Sequence, residues 1–327
     1  MKQKKQTYMK ILMLVLLVIV ASVISLGVGA VYISPVEVIQ TLLGTSQDGL
    51  FILNNYRIPR ILIALIVGAS LAVAGAILQG ILKNPLASPD VIGVTKGAGL
   101  LAVFVIIIFP GASMIAVPIA AFLGAAVIAL VLMIFSHTSG AKPYTLALVG
   151  VALGAICQAG IQYFMIKFPD NVNTTLLWLT GSLWGRGWSE LWFLLPALIL
   201  TPIIIIFTPK LDILNLGDDV ASGLGERTRA LRYTLLGIAV ILTGVAVAVV
   251  GTIGFIGLIA PHIARRLVGS QSKFLLPTSA LTGALFLLIA DSVGRGLVPP
   301  IEIPAGIVTA IIGGPYFLYL LRKEQSS

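Results

Sequence analysis

Few side chains in this sequence are equipped for covalent or metal chemistry, and those few stand apart. His137 and His262 are far from each other, and neither has a neighbour at metal-ligand spacing. The single cysteine, Cys157, lies inside an apolar run, so the chain can form neither an internal disulfide nor a thiolate cluster. No G-x-x-x-x-G-K-[ST] phosphate loop occurs, so nucleotide hydrolysis by that machinery has to be supplied by another chain. Recognition chemistry is better provided for. Arg57 and Arg60 share one short stretch and Arg295 precedes the last loop; a guanidinium fork matches carboxylates, with snorkelling to lipid head groups as the alternative use. Gln158 and Gln162 lie one helical turn apart in an apolar run, where a polar face has to meet protein or water and not lipid. They are candidates for lining a pathway or for hydrogen bonding between helices.

Helices embedded in a membrane have to position these residues. Of the 327 residues, 58% are hydrophobic and only 10% charged, and the mean hydropathy is +1.07, a composition that excludes a soluble protein. A spanning helix needs ~20 apolar residues, and ten apolar stretches are legible, at about 11–33, 58–82, 92–109, 114–135, 144–167, 191–208, 233–250, 253–264, 274–291 and 305–321. The expected fold is therefore all-α and polytopic, a single transmembrane domain over 1–327. The basic start, Met1 to Lys10, followed by apolar Ile11 to Leu26 imitates a signal peptide, but the run is too long and lacks an A-x-A-like cleavage site, so it reads as a retained first helix. The stretch 253–264 is too short to cross and reads as a half-helix buried by its neighbours.

Loop charge sets the expected orientation. With the N-terminus inside, sixteen Lys and Arg, Lys83, Lys96 and Lys142 among them, fall on the cytoplasmic side against Arg57, Arg60, Lys167, Arg186 and Arg295 outside. Both termini are expected in the cytoplasm, and the net charge of +9 is mostly this bias, not a sign of nucleic-acid binding. Asp291 apart, charges are expected at the borders of the spans. Ala64, Gly68, Ala72, Ala76 and Gly80 recur every four residues, and Gly150 and Gly154 repeat the pattern, as close helix packing requires. Between the sixth and seventh spans, 210–232 is a polar insert. Its residues Asp218 to Gly225, with their flanks, can form two short helices joined near Gly223 and Gly225, with Leu214, Leu216, Val220 and Leu224 as an apolar set that a solvated loop would not need.

Several strings, taken in order, resemble the permease subunits of binding-protein-dependent ABC importers for iron–siderophore complexes, haem and cobalamin, the FecCD-type permeases. They are Arg57-Ile58-Pro59-Arg60, Leu78 to Ala87, Gly181-Ser182-Leu183-Trp184-Gly185, Leu214-Asn215-Leu216-Gly217, Ala221 to Gly225, Gly254 to Leu258, Pro261 to Arg265, Ala290-Asp291, Glu302 to Gly306 and Ile312 to Pro315. The resemblance implies ten helices per subunit, a second permease subunit, identical or homologous, two cytoplasmic ATPase subunits and an extracytoplasmic substrate-binding protein. It implies docking of that protein at Arg57, Arg60 and Arg295, and coupling to the ATPase through Leu214, Leu216, Gly217, Asp218, Asp219, Val220, Leu224 and Gly225. It also implies a cytoplasmic gate at Asn84, Pro85 and Leu86 with Pro143, Tyr144 and Thr145, although Pro143 and Tyr144 depart from the small hydroxyl residues often found there.

The expected function is thus a non-enzymatic permease without a cofactor, in contact with membrane lipid, that moves a ferric siderophore while a partner hydrolyses ATP. Haem or cobalamin is the alternative cargo. An ion-coupled secondary transporter is the competing class, weakened by the lack of intramembrane carboxylate pairs and of a visible inverted repeat. A purely structural membrane subunit is disfavoured by the polar insert.

Overall fold

The computed structural model describes residues 2–45, 49–113, 115–137 and 142–324. Among these the chain is helical, without a β-strand. The order is α1 (Lys2–Gly27), α2 (Pro35–Leu42), α3 (Leu50–Leu82), α4 (Val94–Ile108), α5 (Ala116–His137), α6 (Pro143–Lys167), α7 (Val172–Leu179), α8 (Trp188–Asn215), α9 (Asp218–Gly223), α10 (Thr228–Val250), α11 (Ile256–Val268), α12 (Ser272–Gly296) and α13 (Ala305–Glu324). Seven of them (α1, α3, α5, α6, α8, α10 and α12) are long and apolar enough to cross a membrane; α4 and α13 are shorter apolar helices. With α11 these account for all ten expected stretches.

Burial separates hub from rim. In the most apolar window of α3 and of α10, 78% of residues are buried, against 11% in α1. Apolar side chains such as Leu12, Leu16, Leu130 and Ile206 stay exposed on the outer faces, where lipid takes the place of a protein neighbour. The hub depends on small residues. A Cβ added at Gly68 would lie 2.3 Å from the Gly283 carbonyl oxygen, and one at Gly75 would lie 1.8 Å from that of Gly257, so α3 touches α12 and α11 backbone to backbone. The expected stripe contains Gly68 but not Gly75. A period of four draws one face, and α3 is packed on more than one.

Local sequence explains the breaks. Ser34 and Glu37 form a reciprocal capping box ahead of α2, with Pro35 at its first position. That places an unexpected short helix beyond the end of α1, which stops at Gly27 and not at 33. Between α10 and α11 the chain leaves helical geometry at Gly251 (φ 77°) and re-enters it after Phe255 (φ 68°). Backbone polar groups at this depth have to be satisfied by protein. Ser182 N–H donates to the Val250 carbonyl at 2.8 Å, the Thr252 hydroxyl donates to Leu179, and Gly306 N–H donates to Gly181 at 3.0 Å.

Candidate functional site

The candidate residues fall at three depths. At one end of the bundle, Arg57, Arg60 and Arg295 are brought together around Asp291. Arg60 forks onto Asp291, with Nη2 to Oδ1 at 2.7 Å and Nε to both carboxylate oxygens at 3.1 Å, and its Nη2 also reaches Glu302 at 2.8 Å. Arg295, one turn from Asp291 on α12, pairs with it at 3.1 Å.

Of the three arginines expected at the docking surface, two are held inward. Arg57 is 6% exposed and donates to the carbonyls of Leu26 and Val31; Arg295 is 4% exposed and donates to the carbonyls of Val28 and Ser25 and to the Ser25 hydroxyl. A helix end leaves carbonyls without intrahelical partners, and these two guanidinium groups satisfy those at the end of α1. Above them opens a cavity of about 350 Å³ lined by Arg57, Arg60, Arg186, Arg295, Glu302 and Trp184. Trp184, Trp188 and Trp192 are exposed at this end, as in an interfacial aromatic belt, and Trp188 Nε1 donates to the Asn54 carbonyl at 2.7 Å, tying α8 to α3.

In the middle, Gln158 and Gln162 are exposed on a face of α6 that neighbouring helices leave uncovered. The segment 90–95, the loop 179–180, the break 252–254 and the start of α13 line a cavity of about 580 Å³. Asp90 lines it and accepts a hydrogen bond from Thr95 at 2.8 Å. Sequence reasoning placed Asp90 in a loop at the border, because nothing in the local pattern reports that the chain climbs into the bundle before α4 begins.

At the opposite end, α8 continues to Asn215, so the polar insert shrinks to one short helix, α9, with its flanks. The expected joint near Gly223 lies instead at Gly217 (φ 119°), with Gly225 (φ 84°) closing the far side; Gly223 is inside α9. Leu216 before that joint, Val220 within α9 and Leu224 just after it are 63%, 48% and 61% exposed, an apolar set on the helix and its flanks. Leu214 is excluded from it: its side chain is fully buried, because it belongs to the end of α8. Asp219 is exposed.

Asp218 anchors the helix. Arg232 donates to its two oxygens at 2.9 and 2.6 Å, and Lys83 at 3.0 Å. The hydrogen bond from Arg232 foremost, then that from Lys83, holds the Asp218 carboxyl below the usual carboxylate range. Neither partner was legible in the sequence, since Lys83 is distant and Arg232 reads as one more loop cation.

The gate segments share no hydrogen bond or ion pair among the described residues. Asn84 caps its own turn by accepting the Leu86 N–H at 2.8 Å, after Lys83 in a left-handed conformation. Asn84 and Pro85 line a cavity of about 450 Å³ with Gln79, Lys83, His262 and Arg265. Leu86 does not line it, and Pro143, Tyr144 and Thr145 form the first turn of α6, also outside that cavity, with Tyr144 73% exposed.

The profile of the FecCD transport family matches residues 16–323. The Fe(3+)-citrate import system permease protein YfmE of Bacillus subtilis (strain 168) is 57% identical over 324 residues, which is 99% of this chain and 97% of the relative. The Fe(3+) dicitrate transport system permease protein FecD of Escherichia coli (strain K12) is 42% identical, over 93% of this chain and 95% of the relative. Among solved structures, an inward-facing conformation of a metal-chelate type ABC transporter superposes with a TM-score of 0.84 at 33% identity, covering 96% of this chain and 98% of the other.

Proposed function

This chain belongs to the FecCD transport family, and from that premise we propose that it is the membrane-spanning permease of an ATP-driven importer for ferric chelates, with ferric citrate as its cargo. The carrying observation is the exposed apolar set of Val220 on α9 with Leu216 and Leu224 on its two flanks, outside the spans yet held through Asp218 to Lys83 at the end of α3 and to Arg232 of α10. An apolar ridge fixed to two hub helices is suited to lie in a groove of a separate ATPase and pass its closure into the bundle. An ion-coupled transporter has no use for it. The cargo follows from the ferric-citrate relative that matches along nearly the whole chain.

The excess of basic residues in one set of loops supports a cytoplasmic α9 and an outer arginine cluster. At that outer mouth four guanidinium groups (Arg57, Arg60, Arg186 and Arg295) face two carboxylates (Asp291 and Glu302). With Glu190 beside Arg186 the balance is still positive by one charge, and the field of the mouth favours an acidic binding protein. Arg60 bridges both carboxylates of the mouth, Asp291 and Glu302, while Arg295 pairs with Asp291 alone and, with Arg57, builds the platform on the end of α1. Gating by Asn84 to Leu86 and Pro143 to Thr145 requires a second permease across the pathway, and the whole of 1–327 acts as one transport domain.

Disruption of the gene, with complementation, tests the reading. Uptake of radioactive iron from ferric citrate is expected to fall to background and to return with the intact gene. Uptake unchanged by disruption, in cells without another ferric-citrate system, would overturn the cargo assignment.

A further inference from the structure

The position of Lys96 differs most from what its sequence context implies. It sits two residues into α4, where it was counted with the cytoplasmic loop charges, and the fold carries that point deep into the bundle. The register between α4 and α6 sets its depth. A Cβ at Gly93 would meet Gly150 and Gly154 within 3.0 Å, one at Gly160 would meet Leu100 at 2.8 Å, and the rings of Phe104 and Phe164 lie 5.7 Å apart. The two helices therefore run side by side in parallel, with Lys96 level with Gly154. Its Cδ lies 3.4 Å from where a Gly154 Cβ would be, so that glycine makes room for the lysine stem.

Helix α6 runs from Pro143 to Lys167 with Lys142 and Lys167 at its ends. At 1.5 Å per residue, Gly154 lies about 16 Å from its start, near the midplane of hydrocarbon ~30 Å thick. A lysine stem rooted there does not reach the head groups, so the ammonium has to find water or an anion inside the bundle. Lys96 is half-buried and makes no salt bridge or hydrogen bond among the described residues. The nearby Asp90 does not pair with it and is bonded to Thr95. One turn above Gly154 on α6 is Gln158, and one turn above that Gln162, on the face that neighbouring helices leave uncovered.

We propose that Lys96 is a cation of the translocation pathway that, with Gln158 and Gln162, favours passage of anionic ferric chelates over neutral ones. A cation held at mid-membrane without a protein counter-ion lowers the barrier for a negatively charged cargo and contributes nothing for a neutral one. Ferric dicitrate is of the first kind, because the carboxylates of two citrates outnumber the charge on the metal. A ferric trihydroxamate is of the second. The inference rests on the ferric-chelate reading above and adds the charge class of the cargo.

The test uses the complete transporter, with its partner permease, ATPase and binding protein, in cells without other ferric-citrate or hydroxamate uptake. Lys96→Met is expected to lower iron uptake from ferric citrate on the order of tenfold, and Lys96→Arg to retain it within about twofold, as loss and retention of one close charge imply. ATPase co-purification and binding-protein-stimulated ATP hydrolysis are expected to be unchanged in both. In a Cys157→Ser background, Lys96→Cys is expected to regain uptake after reaction with a positively charged ethylammonium thiosulfonate, and not after its sulfonate counterpart. Full ferric-citrate uptake by Lys96→Met, or equal rescue by both reagents, would overturn the inference and leave the importer reading intact. Wild-type uptake of the trihydroxamate with none of ferric citrate would also overturn it, while iron-chelate import stands. A wild type that carries neither chelate brings down both.

Discussion

Asp291 shows how a charge deep in an apolar chain is tolerated. It is 2% exposed and receives Arg60 through a fork while pairing with Arg295. Removing one member of such a buried set strands the others, at a cost of ~3–5 kcal/mol. Asp291→Asn is accordingly expected to lower the unfolding temperature of the detergent-purified transporter and the folded yield in membranes. An unchanged melting curve would show that the cluster contributes no stability. Asp218 is the exposed counterpart, and its energetics follow pH. Its carboxyl is held below the ordinary 3.8, by the hydrogen bond from Arg232 first. The bonds to Arg232 and Lys83 therefore contribute fully above that value and are lost as pH falls beneath it, through the lowered folded-state value. Amide exchange in α9, corrected for intrinsic rates, is expected to stay flat from about pH 7 to pH 5 and to rise only below the ordinary carboxylate value. Asp218→Asn should abolish that acid step; a step that survives the substitution would assign it to another group.

Among the elements, α9 is the smallest and the most consequential. Six residues do not make a stable helix in water by themselves, so the glycine turns at Gly217 and Gly225 and the Asp218 anchor hold it against the bundle. Its apolar set is exposed, as the proposed coupling to a separate ATPase requires. Leu216→Asp puts a charge where a dry contact is expected, and an unpaired buried charge is strongly unfavourable. The variant should insert normally, since no span is altered, and lose ATPase association and transport-linked ATP hydrolysis by about tenfold or more, a loss of 1.4 kcal/mol or greater. Binding-protein association at the far end should persist. Full ATPase association by a well-folded Leu216→Asp protein would move the coupling role to 83–90. The hub helices show the reverse economy. They carry glycine where backbones meet, at Gly68 with Gly283 and at Gly75 with Gly257, and a side chain there would have to push a neighbouring helix away.

At the scale of the molecule, the two functional ends are separated by the full set of spans, so orientation decides which end meets which partner. Single cysteines in a Cys157→Ser background test it. Asp170→Cys, between α6 and α7, is expected to react with an impermeant thiol reagent on intact cells, and Ser222→Cys on α9 only after permeabilisation. The reverse pattern would exchange the two docking surfaces. Ten apolar stretches were legible in the sequence because a spanning helix needs a minimum run of apolar residues whatever surrounds it. The ends were legible where a local signal exists, as at Pro143, and were misplaced where the helix continues on tertiary support, as α8 does through Lys210 to Asn215.

Composition and run length determined the membrane class, the helix count and the polar element between the sixth and seventh spans, because transfer of each segment into hydrocarbon depends on that segment alone. Ordered strings carried the family. Partnership was decided only by the tertiary structure. Arg57 and Arg295 read as docking arginines and are turned inward onto the end of α1; Leu214 reads as part of an apolar ridge and is core; Lys96 reads as a loop cation and stands beside the middle of α6. A charged or apolar side chain has the same letter whether it faces lipid, water or another helix. Its role is set by the depth and neighbours that long-range packing supplies, and no local pattern encodes these.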